Sequence, residues 1–175
     1  MPHSDAQGKD VALGWYQQIQ PTTVVDVGAG CGTYAKLMRQ PGDTARWTAV
    51  EAWQPYLPEF ELRGLYDQVV VADARHLNWS DYQADLVIAG DVLEHMGRDD
   101  AKALLRRIKH AAANLIVSIP VLHLPQGAAN GNPYERHVDH WSAGAMAAEL
   151  GGGVKETWVG SVLGYFWWSR EVTGG

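Results

Sequence analysis

Residues 24–34, VVDVGAGCGTY, place the strongest constraint on what this chain can fold into. Their β-branched apolar start predicts a buried parallel strand, because such strands are apolar on both faces. Glycines at positions 28, 30 and 32 then allow a tight turn and a close approach of the backbone to a ligand. Residues 33–39 have a helix-compatible composition, so a ligand held by the turn would lie against a helix N-terminus. The segment therefore predicts a strand–turn–helix unit that binds a nucleoside-type ligand.

The spacing of these glycines narrows the choice of ligand. A dinucleotide-binding turn requires the pattern G-x-G-x-x-G, and here Thr33 stands where the third glycine belongs. The Gly-Lys-Ser/Thr ending of a phosphate-binding P-loop is also missing. A ligand with a nucleoside but no phosphate, such as S-adenosylmethionine, fits better. Taken alone, the pattern is also compatible with an ordinary tight turn between a strand and a helix, since short glycine patterns carry little information.

Acidic residues stand at the ends of four predicted strands. Asp26 belongs to the first, and Glu51, Asp73 and Asp91 follow after 25, 22 and 18 residues, which is about one strand–helix unit each. Ligands of open parallel sheets bind just outside the carboxyl ends of the strands. Glu51 is then placed to accept hydrogen bonds from ribose hydroxyls, and Asp73 to accept one from an adenine amino group. Packing alone does not explain four acids in this arrangement.

These motifs resemble those of the class I S-adenosylmethionine-dependent methyltransferases, from about Val24 to Trp168. Residues 26–32, DVGAGCG, are similar to the glycine-rich first motif of that family, and residues 91–95, DVLEH, to the D-x-L-E-H segment of many small-molecule members. The resemblance implies S-adenosylmethionine as cofactor and S-adenosylhomocysteine as product. Trp53 is expected either to pack on the adenine or to begin a helix. The implied cofactor-binding residues are Asp26, Gly28, Ala29, Gly30, Gly32, Tyr34, Glu51, Ala52, Trp53, Asp73, Ala74 and Asp91.

The rest of the chain supplies the elements that such a domain needs. Helices are predicted over residues 11–19, 98–112 and 142–150, and further strands over residues 114–119, 154–158 and 162–169, which makes seven strands in all. The fold implied by the resemblance is an α/β, Rossmann-like, mostly parallel sheet. Its expected strand order is 3-2-1-4-5-7-6, with strand 7 antiparallel and helices on both faces.

Composition agrees with one compact domain over residues 1–175. Hydrophobic residues make up 46% and charged residues 19% of the chain, and no apolar stretch approaches the roughly 20 residues of a membrane span. The single cysteine, Cys31, excludes an intramolecular disulfide and fits a cytoplasmic location. Because few residues precede the first predicted helix, we expect a minimal domain without a large lid.

Charge and aromatic content bear on the partners. A net charge of −6 gives no field that favours a phosphate backbone, so nucleic acid is not expected as acceptor. Residues 132–134, Asn-Pro-Tyr, are similar to the Asn-Pro-Pro-Tyr motif of DNA amino-methyltransferases, but they lack the second proline and follow the fifth strand rather than the fourth. Trp167 and Trp168 must point to opposite faces of a strand. They leave two alternatives for the terminal hairpin, a covered sheet edge or a homodimer surface.

The connection from Pro120 to Trp141, at about 20 residues, exceeds the usual loop length and predicts a functional loop. Family members with a similar Asn-Pro-Tyr-Glu-x-His stretch use this loop beside the acceptor pocket. The resemblance therefore implies that the 120–141 loop forms the wall facing a small-molecule acceptor. Its polar side chains are His123, Asn130, Asn132, Tyr134, Glu135, Arg136, His137, Asp139 and His140.

Methyl transfer needs alignment and desolvation, and a hydroxyl acceptor also profits from a general base. His95 follows the fourth strand and is the first candidate for that base; the alternative is a histidine that only hydrogen-bonds the substrate or the loop. His137 and Tyr134 are expected to face the substrate, whereas Glu94 is expected to hold nearby backbone. Asp91 is expected near the methionine amino group, whose positive charge it would offset.

His137, Asp139 and His140 lie close enough in sequence to suggest a metal site. The set is too rich in histidine for Mg²⁺ or Ca²⁺, and its spacing matches no standard zinc signature. No metal is therefore expected, and His140 with Trp141 is assigned to anchoring the end of the loop.

Together these features predict transfer of a methyl group from S-adenosylmethionine to oxygen or nitrogen of a small molecule, such as a sugar-like compound or a secondary metabolite. One alternative is a protein that binds S-adenosylmethionine without methyl transfer and acts as a regulator or a non-methylating catalyst. A less favoured one is an NAD-dependent oxidoreductase, which Glu51 permits but the missing third glycine opposes.

Overall fold

A seven-stranded sheet forms the centre of the molecule in a computed structural model that describes residues 5–129 and 131–170. Asn130, one of the polar loop residues named above, lies outside the described residues. Among the helices of those two ranges, none is long and apolar enough to cross a membrane. The strands are β1 (Thr23–Val27), β2 (Arg46–Glu51), β3 (Gln68–Val71), β4 (Ala84–Gly90), β5 (Ala112–Pro120), β6 (Val154–Val159) and β7 (Leu163–Ser169).

The strand order is β3-β2-β1-β4-β5-β7-β6, as predicted. The first five strands pair in parallel, and β7 lies antiparallel between β5 and β6. The chain progresses towards one edge of the sheet from β1 to β3 and towards the other edge from β4 onwards. The boundary between β1 and β4 is therefore the switch point, outside which doubly wound sheets bind their ligands.

The helices of the described ranges cover the sheet. The most regular one, residues 98–111, buries Ala101, Leu104, Leu105 and Ile108, as its periodicity predicts. The last one begins after Ser142, whose hydroxyl accepts a hydrogen bond of 3.2 Å from the backbone N–H of Ala145. The helices are α1 (Lys9–Ile19), α2 (Thr33–Met38), α3 (Tyr56–Glu59), α4 (Leu62–Leu65), α5 (Arg98–Ala111) and α6 (Ala143–Leu150).

Alternate strand residues fill two hydrophobic cores, one on each face of the sheet. Val25 packs with residues of α5 and α6, whereas Val24 packs with residues of α1 and α2. The two adjacent tryptophans follow the same rule. Trp168 belongs to the first core, and Trp167 packs against the second, with its ring centroid 6.2 Å from that of Trp15. Both tryptophans therefore have packing partners within the fold, and the homodimer stays a prediction.

Candidate functional site

A cavity lies at the carboxyl ends of β1, β2 and β4, the edge to which the sequence assigns its acids. The three catalytic candidates His95, His137 and Tyr134 line it. Most of the predicted cofactor-binding residues line it too, namely Gly28, Ala29, Gly30, Tyr34, Glu51, Ala52, Asp73, Ala74 and Asp91. The cavity wall does not include Asp26, Gly32 or Trp53.

The glycine turn after β1 adopts the left-handed backbone that glycine accepts without strain. The φ angles of Gly28, Gly30 and Gly32 are 67°, 53° and 76°. A Cβ atom on Gly28 would lie 2.9 Å from a methyl carbon of Val92, and one on Gly32 would lie 2.6 Å from a methyl carbon of Leu65. Gly32 therefore serves packing at the start of α2, while Gly28 lets the turn lie close against the cavity wall.

Asp26 lies behind this turn. It is 1% exposed and accepts a hydrogen bond of 2.6 Å from the Tyr66 hydroxyl. Burial raises the pKa of Asp26 to about 7, an effect that the Tyr66 hydrogen bond opposes. The sequence suggested a direct contact with the cofactor. Asp26 is not among the residues that line the cavity, and its contact with Tyr66 ties the end of β1 to the end of α4, so its contact with the cofactor stays a prediction.

The carboxylate of Glu51 bridges two backbone segments that border the cavity. Its Oε2 accepts a hydrogen bond of 2.9 Å from the N–H of Gly30, and its Oε1 accepts one of 2.7 Å from the N–H of Trp53. Burial raises the pKa of Glu51 above its ordinary value, although these backbone hydrogen bonds act in the opposite direction. Because a carboxylate offers about four acceptor positions, both oxygens keep capacity for hydroxyls of a ligand. Trp53 contributes its N–H to this bridge.

Asp73 lies two residues beyond the end of β3 and has a side-chain partner that the sequence did not indicate. β3 ends at Val71, and Asp73 begins a short 3-10 turn, Ala74–His76, by accepting a hydrogen bond of 2.9 Å from the N–H of Arg75. The Arg75 guanidinium also pairs with the carboxylate, with 2.6 Å between Nη2 and Oδ2. Burial raises the pKa of Asp73, but the hydrogen bonds from Arg75 outweigh it and hold that pKa below its ordinary value. Sequence reasoning missed Arg75, which also lines the cavity.

Asp91 presents a buried acceptor to the cavity. It follows β4 with a φ of 51°, which is uncommon for a residue other than glycine. The Ser118 hydroxyl donates to Oδ1 at 2.6 Å, and the N–H of Asp91 donates to the Ser118 carbonyl at 3.0 Å. In the described part of the chain, Oδ2 has no hydrogen-bond partner. Since buried carboxylate oxygens normally find a donor, Oδ2 is suited to a donor group of a ligand.

A chain of hydrogen bonds continues from Ser118 to the N-terminal helix. The Tyr34 hydroxyl lies 2.9 Å from Ser118 Oγ and must donate there, because the Ser118 proton is directed at Asp91. Lys9 donates to the hydroxyls of Tyr34 at 3.4 Å and of Tyr165 at 3.1 Å. Sequence reasoning missed Ser118, Lys9 and Tyr165, because partners so far apart in sequence form no local motif.

The two candidate catalytic histidines lie close together in the cavity wall. His95 closes a 3-10 turn, Leu93–His95, after β4, and His137 lies in the 120–141 loop. Their ring centroids are 5.0 Å apart, with the rings inclined by 69°. Tyr134 is 41% exposed and belongs to a turn in which Asn132 Oδ1 accepts a hydrogen bond of 2.9 Å from the Tyr134 N–H. The loop thus brings Tyr134 and His137 to the cavity, and its role towards an acceptor stays a prediction.

Hydrogen bonds fix the tautomer of both imidazoles. Nδ1 of His95 lies 3.1 Å from the Arg136 carbonyl oxygen, and Nδ1 of His137 lies 2.6 Å from the Leu124 carbonyl oxygen. A carbonyl only accepts, so Nδ1 carries a proton in each ring and the lone pair of the neutral ring is on Nε2. Burial lowers the pKa of His95 and of His137 below the ordinary value for histidine.

Glu94, next to His95 in the chain, also lines the cavity. It is 3% exposed, and its Oε2 has no hydrogen-bond partner within residues 5–129 and 131–170. Burial, together with the negative charge of Asp91, raises the pKa of Glu94 well above its ordinary value. The backbone carbonyl of Glu94, rather than its carboxylate, holds the loop by accepting from the N–H groups of Val138 at 2.7 Å and Asp139 at 3.2 Å.

The His-x-Asp-His segment does not assemble as a set of metal ligands. Both carboxylate oxygens of Asp139 accept hydrogen bonds of 2.9 Å from the Arg98 guanidinium, which holds the pKa of Asp139 below its ordinary value. The His140 ring instead packs edge-on against that of His123, with 5.2 Å between their centroids. Arg98 also lies over the buried ring of Trp141, 3.8 Å from its centroid. These contacts anchor the end of the 120–141 loop to α5.

A family model described as a methyltransferase domain matches residues 25–113, which include the glycine turn and the ends of β1, β2 and β4. The chain belongs to this family. It is a class I methyltransferase, and the cofactor of this methyltransferase is S-adenosylmethionine. A comparison with curated proteins gives no match.

Solved structures share the fold of this methyltransferase. The N-terminal domain of EvdMO1 with S-adenosylhomocysteine bound is 18% identical, with a TM-score of 0.67 over 95% of this chain and 82% of that one. The Burkholderia thailandensis 1,6-didemethyltoxoflavin-N1-methyltransferase is 17% identical, with a TM-score of 0.69 over 95% and 79%. The small RNA methyltransferase HEN1 is 14% identical, with a TM-score of 0.74 over 97% and 25%. Similarity at this level of identity concerns the fold alone.

Proposed function

We propose that this methyltransferase modifies an oxygen or nitrogen atom of a small molecule, such as a sugar-like compound or a secondary metabolite. The observation that carries the proposal is that one cavity is lined both by Glu51 and Asp91, proposed to hold the cofactor, and by His95 and Tyr134, proposed to face the acceptor. Cofactor and acceptor would meet in this cavity with water excluded, which is the condition that methyl transfer requires of a protein.

At the cofactor end, each polar group has a counterpart in S-adenosylmethionine. Glu51 accepts hydrogen bonds from the ribose hydroxyls, and the turn at Asp73 and Ala74 contacts the adenine. Asp91 Oδ2 accepts from the methionine ammonium, a donor that it lacks within the described chain. Without such a donor, a buried acceptor costs about 1–3 kcal/mol. The bound cofactor supplies a methyl group that its sulfonium charge already activates.

Among the residues proposed to face the acceptor, His95 acts as the general base when no metal ion is bound to it. Its Nε2 lone pair takes the proton of an acceptor hydroxyl as the oxygen attacks the methyl carbon. His137 and the half-exposed Tyr134 hold the acceptor by hydrogen bonds. The lowered pKa of His95 supports this role, because it favours the unprotonated ring.

Several structural neighbours support a small acceptor. The Burkholderia thailandensis enzyme was crystallised with 1,6-didemethyltoxoflavin, and the EvdMO1 domain was crystallised in the presence of D-fucose. The mitomycin 7-O-methyltransferase MmcR, 20% identical with a TM-score of 0.63, is a third example. The similarity to HEN1 favours an RNA acceptor instead, but the net charge of −6 opposes binding of a polyanion.

The test offers unlabelled acceptors of both classes to the protein. The protein is incubated with S-adenosylmethionine carrying a labelled methyl group, either with hydroxylated and aminated small molecules or with a short RNA. We expect label in a small molecule, an equal amount of S-adenosylhomocysteine and no label in the RNA. Replacement of His95 by Gln should lower kcat by about 10²- to 10⁴-fold and leave S-adenosylhomocysteine affinity unchanged. His123→Gln, in the 120–141 loop and outside this cavity, is the control. Label in RNA alone, or cofactor binding without any transfer, would overturn the proposal.

A further inference from the structure

We propose that Glu94, His95 and His137 bind a divalent first-row transition-metal ion at the acceptor end of the cavity. The assignment of this ion to methyl transfer rests on the function proposed above, whereas the binding site itself follows from the arrangement of the three side chains. One ligand atom from each of them lies within 4.8 Å of the others. Around one ion, three ligand atoms at about 2.1 Å lie roughly 3.4–3.6 Å from one another, so side-chain movements of about 1 Å would close the site.

The two histidines make the same kind of hydrogen bond through Nδ1 that orients histidine ligands in metal sites. Each Nδ1–H donates to a backbone carbonyl, of Arg136 for His95 and of Leu124 for His137. This arrangement orients the ring and leaves the Nε2 lone pair for a ligand, as in most histidine–metal sites. The backbone of the 120–141 loop supplies the Arg136 and Leu124 carbonyls, so the folded loop itself orients the two imidazoles.

Glu94 supplies the independent observation that points to a cation. Its carboxylate is 3% exposed, lines the cavity and has an oxygen with no hydrogen-bond donor in the described chain. Asp91 and Glu135 add negative charge beside it, and no lysine or arginine side chain is paired with Glu94 among the described residues. A buried carboxylate among like charges is stable with a proton or with a cation, and the adjacent imidazole lone pairs favour the metal ion.

The donor set selects the class of ion. Mg²⁺ and Ca²⁺ prefer oxygen ligands throughout, whereas two imidazoles and one carboxylate suit Zn²⁺, Fe²⁺, Co²⁺ or Mn²⁺. Three protein ligands leave coordination positions open towards the cavity. An acceptor hydroxyl bound there becomes more acidic and releases its proton to solvent. Its oxygen then forms the bond to the methyl carbon, and the carbon–sulfur electron pair remains on sulfur, giving the methyl ether, the thioether and one proton. His95 is a ligand in this state rather than the base.

The experiment is a titration of untagged, chelator-treated protein with Co²⁺, followed by visible absorption and by calorimetry. We expect one Co²⁺ per chain, displaced by Zn²⁺ and not by excess Mg²⁺. Glu94→Gln and His137→Asn should each weaken Co²⁺ binding by at least about 100-fold, a loss as large as outer-shell changes cause in metal sites. His123→Asn, which alters a histidine outside the three ligands, should bind Co²⁺ like the parent. His137 lies in a loop and is partly exposed, so we expect His137→Asn to fold. A thermal unfolding curve of this variant checks that it does.

Failure of this inference is distinguishable from failure of the proposed function. The same metal-free protein is titrated with S-adenosylhomocysteine. Binding of S-adenosylhomocysteine without stoichiometric Co²⁺ binding overturns the metal site alone. Stoichiometric Co²⁺ binding that both variants retain overturns the assignment of the ligands. Co²⁺ binding that both variants lose, in a protein that does not bind S-adenosylhomocysteine, supports the metal site and overturns the proposed function.

Discussion

Ser118 donates a hydrogen bond of 2.6 Å to Oδ1 of Asp91, and Asp91 returns one of 3.0 Å from its backbone N–H to the Ser118 carbonyl. The two bonds join the ends of β4 and β5 and hold Asp91 at a φ of 51°. This left-handed conformation is sparsely populated outside glycine, asparagine and aspartate. The conformation is thus held by the neighbouring strand, and it leaves the second carboxylate oxygen, Oδ2, buried beside the cavity without a described partner.

Asp91→Asn tests the role of this oxygen. Asparagine tolerates the left-handed backbone, so the variant removes the charge without removing the conformation. We expect S-adenosylhomocysteine to bind with a loss of about 1.5–3 kcal/mol, or roughly 10- to 150-fold in affinity, measured by calorimetry. Asp99→Asn, at an exposed position in the first turn of α5, is the control and should bind like the parent. Equal affinities of the two variants would refute a contact between Asp91 and the ammonium group.

Gly28→Ala tests the close approach of the glycine turn. The new Cβ would combine a left-handed backbone with a contact of 2.9 Å to Val92, whereas Gly42→Ala has a φ of 93° and no atom within 4 Å. Gly42→Ala therefore isolates the backbone cost, which is about 1–2 kcal/mol. Gly28→Ala should lose about 1–3 kcal/mol more in free energy of unfolding, measured by urea denaturation, and should also weaken S-adenosylhomocysteine binding. Equal losses in the two variants would mean that the turn tolerates a side chain.

Asp26 makes stability depend on pH. Its pKa of about 7 in the folded protein lies above the unfolded value, so between pH 4 and 7 the folded protein holds a proton that the unfolded chain has released. The stabilisation that this proton gives the folded protein is fully present below the pKa of Asp26 in the unfolded chain. It is lost as the pH rises through 7. Asp26→Asn removes this dependence, and at about 1.4 kcal/mol for each pH unit the profiles should diverge by up to about 4 kcal/mol. Urea denaturation across this pH range measures the difference between the two stability profiles. The contributions of the other buried carboxyl groups, Glu51 and Glu94, are present in both proteins and cancel in this difference. Parallel profiles would contradict the assignment of the raised pKa to Asp26.

The Arg98–Asp139 pair tests the anchoring of the 120–141 loop. Asp139→Asn removes the charge that accepts two hydrogen bonds from Arg98, and the pair is partly exposed, so the expected loss is below about 1 kcal/mol. A looser loop should raise the acceptor KM several-fold and leave S-adenosylhomocysteine affinity unchanged. Glu149→Gln, which breaks the pair of Glu149 with Lys102 between α5 and α6, is the control. A change in S-adenosylhomocysteine affinity alone would indicate that the loop serves the cofactor end.

Much of the fold could be predicted from the sequence because its signals are local. The β-branched run before Gly28, the periodicity of α5 and the spacing of the acids each depend on neighbouring residues, and the strand order is confirmed. Glu51 and Asp91 lie at the cavity for the same reason, since the carboxyl ends of parallel strands meet at one edge.

The remaining features depend on tertiary placement. The pairing of Asp73 with Arg75 follows from where β3 ends, because β3 stops at Val71 and Asp73 then begins a short turn. The approach of His95 to His137 depends on the path of the 120–141 loop. Hydrogen bonds from loop N–H groups to the Glu94 carbonyl hold that path. No short-range pattern records such contacts.

Calorimetric titration with S-adenosylhomocysteine tests most directly whether this cavity binds the cofactor. The titration compares the parent, Glu51→Gln and the exposed control Glu59→Gln, with NAD as the competing ligand. We expect the parent and the control to bind S-adenosylhomocysteine equally and to prefer it to NAD. The loss of a charged acceptor in Glu51→Gln should weaken binding by roughly 10- to 150-fold. Equal binding by all three proteins, or a preference for NAD, would contradict the assignment of this cavity to the nucleoside of S-adenosylmethionine.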